Sequence, residues 1–257
     1  MKKYRKLLTT ALCAAALVGA SILGTMAYFT DNDTVTNTFT VGNVDITLDE
    51  AKVNEDGKPI TVDNDNTSTV VNPGDDKIYD ATELSAATRV KDNDYHLIPG
   101  HVYTKDPTVT VDANSEDCYV RMFVTLTYSS QLDAIFATLE GKTALDVINV
   151  DSSNWTYYDN VEDETKNTRT YEFRYVGNNA EPPTGIVAKS NTETKIPALF
   201  TTITVPGEMT KEQLATLITT NADGEITDQF KIYVVAQAIQ ADGFDTAEEA
   251  WGQFPTN

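Results

Sequence analysis

From Cys118 to Tyr128 every second residue is apolar. Cys118, Val120, Met122, Val124, Leu126 and Tyr128 fall on one parity, with Arg121, Thr125 and Thr127 on the other. An alternation of this length fits a pleated strand buried on one face and does not fit a helix. It commits the chain to a layered β architecture, because a long half-buried strand needs both partners and cover. The same period recurs in Val44, Ile46 and Leu48, and again in Tyr171, Phe173 and Tyr175 set against Glu172 and Arg174. Further strands are expected at Trp155 to Tyr158 and at Ile196 to Val205. Another should run from Val102 to Val111, with Pro107 marking an edge or bulge. Phe230, Ile232, Val234, Ala236 and Ala238 alternate with Tyr233, Val235 and Ile239, which predicts a central strand covered on both faces. The fold class that follows is all-β, an antiparallel β-sandwich with short peripheral helices.

Those helices have their own signals. Leu132, Ile135, Phe136 and Leu139 give helical spacing over Ser130 to Glu140, with Gly141 just past the end. Thr210 and Gln213 have capping-box spacing for a helix through Thr219, with Leu214, Leu217 and Ile218 inward. Thr246 and Glu249 repeat that spacing for a C-terminal helix over 245–252. Between Glu50 and Tyr95 the composition turns to Asp, Asn, Lys and Gly, with turn signals at Asp56-Gly57 and Asn72-Pro73-Gly74. This stretch reads as a loop-rich surface insertion holding one short strand at Ile60 to Val62 and a helical turn at Ala81 to Thr88.

The first 27 residues are of a different kind. Lys2, Lys3, Arg5 and Lys6 precede an uncharged apolar run from Leu7 to Met26. A basic start and an apolar core make an export signal, and Thr25 and Ala27 supply small residues three and one before a cut. The expected organisation is therefore a cleavable signal peptide over 1–27, cut between Ala27 and Tyr28, and one β-sandwich domain over 28–257. A retained anchor is the competing reading, since the run approaches the roughly 20 residues that span a bilayer. Any membrane association is expected only through the uncleaved leader. Leu12 before Cys13 is too large for lipoprotein processing. No sortase-type signal follows Trp251.

Charge and cysteine narrow the partners. Four of the 19 basic residues lie in the leader, so the remainder carries 15 basic against 39 acidic residues, a formal −24. Such a surface repels nucleic acid and anionic membranes and suits a solvated exported protein. With the leader gone Cys118 stands alone, so no internal disulfide forms and packing must hold the domain. Its setting on a strand predicts a buried, inert thiol.

The leader and its continuation, Gly24-Thr25-Met26-Ala27-Tyr28-Phe29-Thr30-Asp31, resemble the signals cut by the dedicated peptidase SipW in the TasA/camelysin family. Pro99-Gly100 followed by Thr104-Lys105-Asp106, Asn114-Ser115 and the strand from Tyr119 is similar to that family's core. Val235 to Phe244 with Glu248-Glu249-Ala250-Trp251 resembles its C-terminal signature. The resemblance implies a jelly-roll sandwich and a secreted protein of the extracellular biofilm matrix or cell surface. It further implies fibres in which the mature N-terminal strand of one subunit completes a sheet of the next. Here that assembly strand would present Val35, Phe39 and Val41. Self-association, other matrix proteins and the processing peptidase are the expected partners. Pairing of the strand within its own domain is the alternative, and the favoured one for an isolated chain.

Camelysin is described as a metalloendopeptidase, and the residues speak against that chemistry. A zinc peptidase needs ligands on one rigid element with a carboxylate to activate water. His96 and His101 instead flank a Pro-Gly turn and read as an ordinary exposed pair. No Ser sits in a glycine-flanked elbow. No catalytic residue, metal ligand or cofactor site is expected, and the chain is read as not an enzyme. Asp63-Asn64-Asp65-Asn66 and Asp92-Asn93-Asp94 offer oxygen ligands for calcium, yet lack the glycine and distal Glu of a helix-loop-helix site, and turn formation explains them equally. A monomeric adhesin or ligand-binding module using the 50–95 insertion is the other structural reading.

Overall fold

The computed structural model describes residues 28–31, 44–72, 78–177 and 184–254. In chain order the first strands are β1 (Tyr28–Asp31), β2 (Ile46–Ala51), β3 (Ile60–Val62), β4 (Ser68–Val70), β5 (Arg89–Val90), β6 (Asn93–His96), β7 (Val102–Thr104), β8 (Thr108–Val111) and β9 (Cys118–Thr127). They continue as β10 (Ile148–Val150), β11 (Trp155–Asp163), β12 (Thr168–Tyr175), β13 (Ile186–Val187), β14 (Thr194–Lys195), β15 (Phe200–Thr204), β16 (Ile218–Thr220), β17 (Ile226–Gln229) and β18 (Ile232–Gln240). The helices are α1 (Ala81–Ala86), α2 (Ser129–Phe136), α3 (Lys211–Ala215) and α4 (Ala247–Gly252), with a 3-10 turn at Ala144–Val147.

The fold is an all-β sandwich. Its backbone is β9, which pairs antiparallel with β12 on one side and β18 on the other. β11 extends the sheet beyond β12, and β13 meets the start of β9. The expected parity holds: Cys118, Val120, Met122, Val124 and Leu126 are all at most 1% exposed. They share one core with Leu48 and Val109 of the β14-β8-β2-β5 sheet and with Tyr103, Phe200 and Ile203 of the β10-β15-β7 sheet. Burying such side chains contributes roughly 1.5–3 kcal/mol each, so packing holds the described domain, in which Cys118 is a free thiol.

Several expectations need correction. The central strand is β9, whereas β18 pairs only with β9 among the described residues. β18 is nevertheless covered on its second face, because α4 lays Trp251 and Phe254 against Ile239 and Tyr119. α2 stops at Phe136, where Ala137, Thr138 and Leu139 tighten into turns before Gly141 at φ +70°. α3 is only five residues long, and Ile218, expected in the helix, opens β16. Pro107 splits the strand expected from Val102 to Val111, and Pro197 delays the strand expected from Ile196 until Phe200, because a ring without an N–H cannot continue a ladder. β11 runs to Asp163, well past the expected end at Tyr158, with a register shift between Tyr157 and Asp159 that breaks its alternation.

The stretch from Glu50 to Tyr95 is more ordered than a loop-rich insertion. The β3-β4 hairpin, α1 and β5 lie within it, and β6 begins there and ends at His96. Asp80 and Glu83 form a full capping box at the start of α1. At Thr210 and Gln213 the box is also reciprocal. At α4, Thr246 accepts from Glu249 N–H while the Glu249 carboxylate turns to Asp245 N–H.

Candidate functional site

β6 carries the chemistry, and its position is set by side chains more than by a ladder. Its backbone pairs with β1 and with no other strand among the described residues. Asn93 fixes it from the inner face: Nδ2 donates to Glu50 Oε1 at 2.5 Å and to the Ala51 carbonyl at 2.9 Å, and Oδ1 accepts from Val53 N–H at 2.9 Å. Tyr95 adds an O–H donated to the Thr104 carbonyl at 3.0 Å. One amide and one phenol thus do what backbone pairing does elsewhere in the sheet.

Behind Asn93 lies a buried ionic network. Glu50 and Lys105 are both 0% exposed, with Nζ 2.5 Å from Oε2. Next to them, Asp106 accepts from Ala51 N–H and from Arg89 Nη1, each at 2.6 Å. Arg89 also donates Nε to Asp49 at 2.9 Å. Burial pushes the Lys105 ammonium down to about 7, while the Asp106 charge pulls it back up. Burial likewise raises the Asp106 carboxyl against the opposing pull of Arg89. Removing two charges from water is costly, and only this dense set of partners makes the arrangement sustainable.

On the outer face, Asp94 and His96 open into a cleft of about 480 Å³ lined also by Glu55, Asp56, Ile98, His101 and Tyr103. Tyr103 is its floor. Its O–H donates to the His96 carbonyl at 2.5 Å and accepts from Ile98 N–H at 2.8 Å. Burial pushes this phenol up to about 12, with the Ile98 N–H opposing and the Asp56 charge adding. The wall opposite is the turn at Gly57, whose φ is +71° and where an added Cβ would lie 2.3 Å from the Tyr103 ring. The turn at Pro99-Gly100 reverses the chain, with His101 N–H donating to the Ile98 carbonyl at 3.1 Å. That reversal brings both histidines of the chain to one cleft with three carboxylates. His96 is half-buried and His101 exposed, so the expected ordinary exposed pair is corrected for His96.

The donor types are those a zinc ion takes, yet among the described residues no group of three or more His, Cys, Asp or Glu is arranged to hold a metal ion. The residues therefore do not fit a zinc-peptidase centre. The two calcium candidates have other roles. Asp63 accepts from the Asp65 and Thr67 N–H groups in the β3-β4 turn, with Asn66 at φ +61°. Asn93 faces inward to Glu50, away from Asp94 on the cleft. A second cavity, of about 570 Å³, lies between α1 and the sandwich, with Leu84, Ile196 and Phe200 among its apolar walls and Arg89, Asp106 and Lys195 among its polar ones. Cys118 is 0% exposed, and burial pushes its thiol up to about 12.

Tyr28, the expected first mature residue, opens β1. Ala27 and the expected assembly residues Val35, Phe39 and Val41 lie outside the described residues. Among the described residues no helix is long and apolar enough to cross a membrane. Neither a curated protein nor a solved structure matches the chain. The description of the family matched names a peptidase, which runs against the sequence reading of no catalysis. Over residues 2–93, leader included, the chain matches the family described as camelysin metallo-endopeptidase, in agreement with the TasA/camelysin resemblance of its leader.

Proposed function

We propose that the chain is an exported structural protein of the cell surface or extracellular matrix, cut after Ala27 and assembling through its N-terminal segment. The observation that carries this reading is the β1-β6 pair. β1 is an N-terminal strand joined by antiparallel register to an element that pairs with nothing else among the described residues. An isolated two-stranded ribbon is marginal in water. β1 can therefore be exchanged for the same strand of a second copy at little cost, since the backbone bonds broken and remade are identical. Val35, Phe39 and Val41, the expected assembly residues, would supply the apolar contacts of that exchange.

The test compares protein beginning at Tyr28 with protein beginning after Val41, by light scattering and electron microscopy at high concentration. Fibres or oligomers from the longer form alone support the proposal, and two monomers would overturn it. A second reading, a peptidase, is favoured by the family description. Chelator-sensitive hydrolysis of an unfolded protein substrate, lost on replacing His96 and His101, would establish it. Hydrolysis indistinguishable from buffer would eliminate it.

A further inference from the structure

We propose that Lys105 and Asn93 close a covalent amide bond inside the folded domain, with Glu50 carrying the protons. The three side chains come from separate elements: Glu50 from β2, Asn93 from β6, and Lys105 from the link between β7 and β8. One carboxylate holds both reacting groups. Glu50 Oε2 accepts from Lys105 Nζ at 2.5 Å, and its Oε1 accepts from Asn93 Nδ2 at 2.5 Å. The amine and the amide carbon are thus gathered around a single group, as a fast reaction between two parts of one chain requires. Glu50 and Lys105 are 0% exposed and Asn93 is 8% exposed, so bulk water is kept from the amine and the amide.

The chemistry balances without a co-reactant. Glu50 takes a proton from the Lys105 ammonium, and the freed Nζ lone pair adds to Asn93 Cγ. Negative charge gathers on Oδ1, where Val53 N–H already donates at 2.9 Å and serves as an oxyanion donor. The Glu50 carboxyl then gives its proton to Nδ2 and takes one from Nζ. The Cγ–Nδ2 bond breaks, ammonia leaves with the last proton, and the new Nζ–Cγ bond stays. An ammonium and a primary amide have become a secondary amide and an ammonium ion. Burial supports the first step, because it brings the Lys105 ammonium down to about 7 against the upward pull of Asp106 and leaves free amine at neutral pH. Below that value the pair stays ionic. Asp106 is the poorer acceptor, since its carboxylate is held by Arg89 and by Ala51 N–H and an ionised carboxylate resists an amine. The bond ties β6 to the β7-β8 link and gives the domain a covalent staple that its free Cys118 does not.

The experiment purifies the full chain folded at pH 8, then denatures it for intact mass spectrometry and digests it with trypsin. With its N-terminus identified, the chain should weigh one ammonia less than its sequence, about 17 Da. Trypsin should pass over Lys105 and release 92–121 as a single peptide that gives no fragments from breaks between 93 and 105. Glu50→Gln keeps the shape of the side chain but cannot take the proton, and should slow the loss by about a hundredfold or more. Lys105→Arg should keep its full mass, with exchange protection of β9 reporting that each variant is folded. A folded parent chain at full mass would overturn the proposal, even where a variant fails to fold. So would a light chain that trypsin still cuts after Lys105, the mark of a succinimide at Asn93, or a loss of water, which would place the bond on a carboxylate. A folded Glu50→Gln chain that loses ammonia as fast as the parent would overturn the role of Glu50.

Discussion

Replacing Lys105 by Met removes the ammonium that stands 2.5 Å from Glu50 at a site where both side chains are 0% exposed. The Met side chain has nearly the same length, so the change in volume is small and electrostatics dominate. Breaking a buried pair from one side costs about 3–5 kcal/mol, because the surviving charge has lost its compensation. For a domain of this size that is a large share of a total of roughly 5–15 kcal/mol. Urea unfolding at pH 6, below the lowered Lys105 value of about 7, of uncross-linked protein beginning at Tyr28 measures it. One companion result makes the test specific. The double variant with Glu50→Leu should recover most of the loss, since a well-packed apolar pair does not need a counter-charge. A single variant within about 1 kcal/mol of the parent, or a double variant no better than the single, would refute the account of this network.

Gly57→Ala should cost at least about 2 kcal/mol in thermal or urea unfolding, since it combines a positive φ with a Cβ 2.3 Å from the Tyr103 ring. The Cys118 contribution to stability should fall with alkalinity, against the gain that the lowered Lys105 value of about 7 brings between pH 7 and its ordinary 10.5. Below pH 9 the Cys118 thiol is protonated folded and unfolded alike, and between 9 and its raised value of about 12 only the unfolded chain gives up the proton. That is a loss of about 1.4 kcal/mol per pH unit, which Cys118→Ala should abolish. The Tyr103 phenol, also raised to about 12, adds a loss of the same sign above pH 10. Arg121→Ala should loosen α4 by about 1–2 kcal/mol, because its guanidinium lies 4.4 Å from the Trp251 ring centre and 5.0 Å from that of Phe254. Exchange over 247–252 should rise while β9 stays protected.

The sheet was legible where one physical signal dominates. The parity of β9 and of Tyr171 and Phe173 in β12 follows directly from which face the core covers. The proline breaks at 107 and 197 were harder to read, because the flanking apolar residues keep the alternation on either side. The ionic network did have a signal. Val44, Ile46 and Leu48 set a parity that Glu50 continues, so the alternation itself points a carboxylate into the core. Its surroundings of Asp, Asn and Lys made the segment look solvated. Lys105 carries no local sign of burial, since the partner that makes it tolerable is 55 positions away. The meeting of His96, His101, Asp94 and the Glu55-Asp56 turn likewise depends on the return of the chain at Pro99-Gly100 and on the Gly57 turn packing on Tyr103.

The Asn93 clasp changes what happens when β1 leaves. A strand held in a sheet by its neighbours' backbones loses its shape with them. β6 is instead moored through its side chains to the floor of the domain, so in the proposed exchange its open rim would keep its form without an occupant. A preshaped socket forgoes the entropy of ordering itself at each capture. An incoming strand, from whichever copy, has only its own freedom to lose.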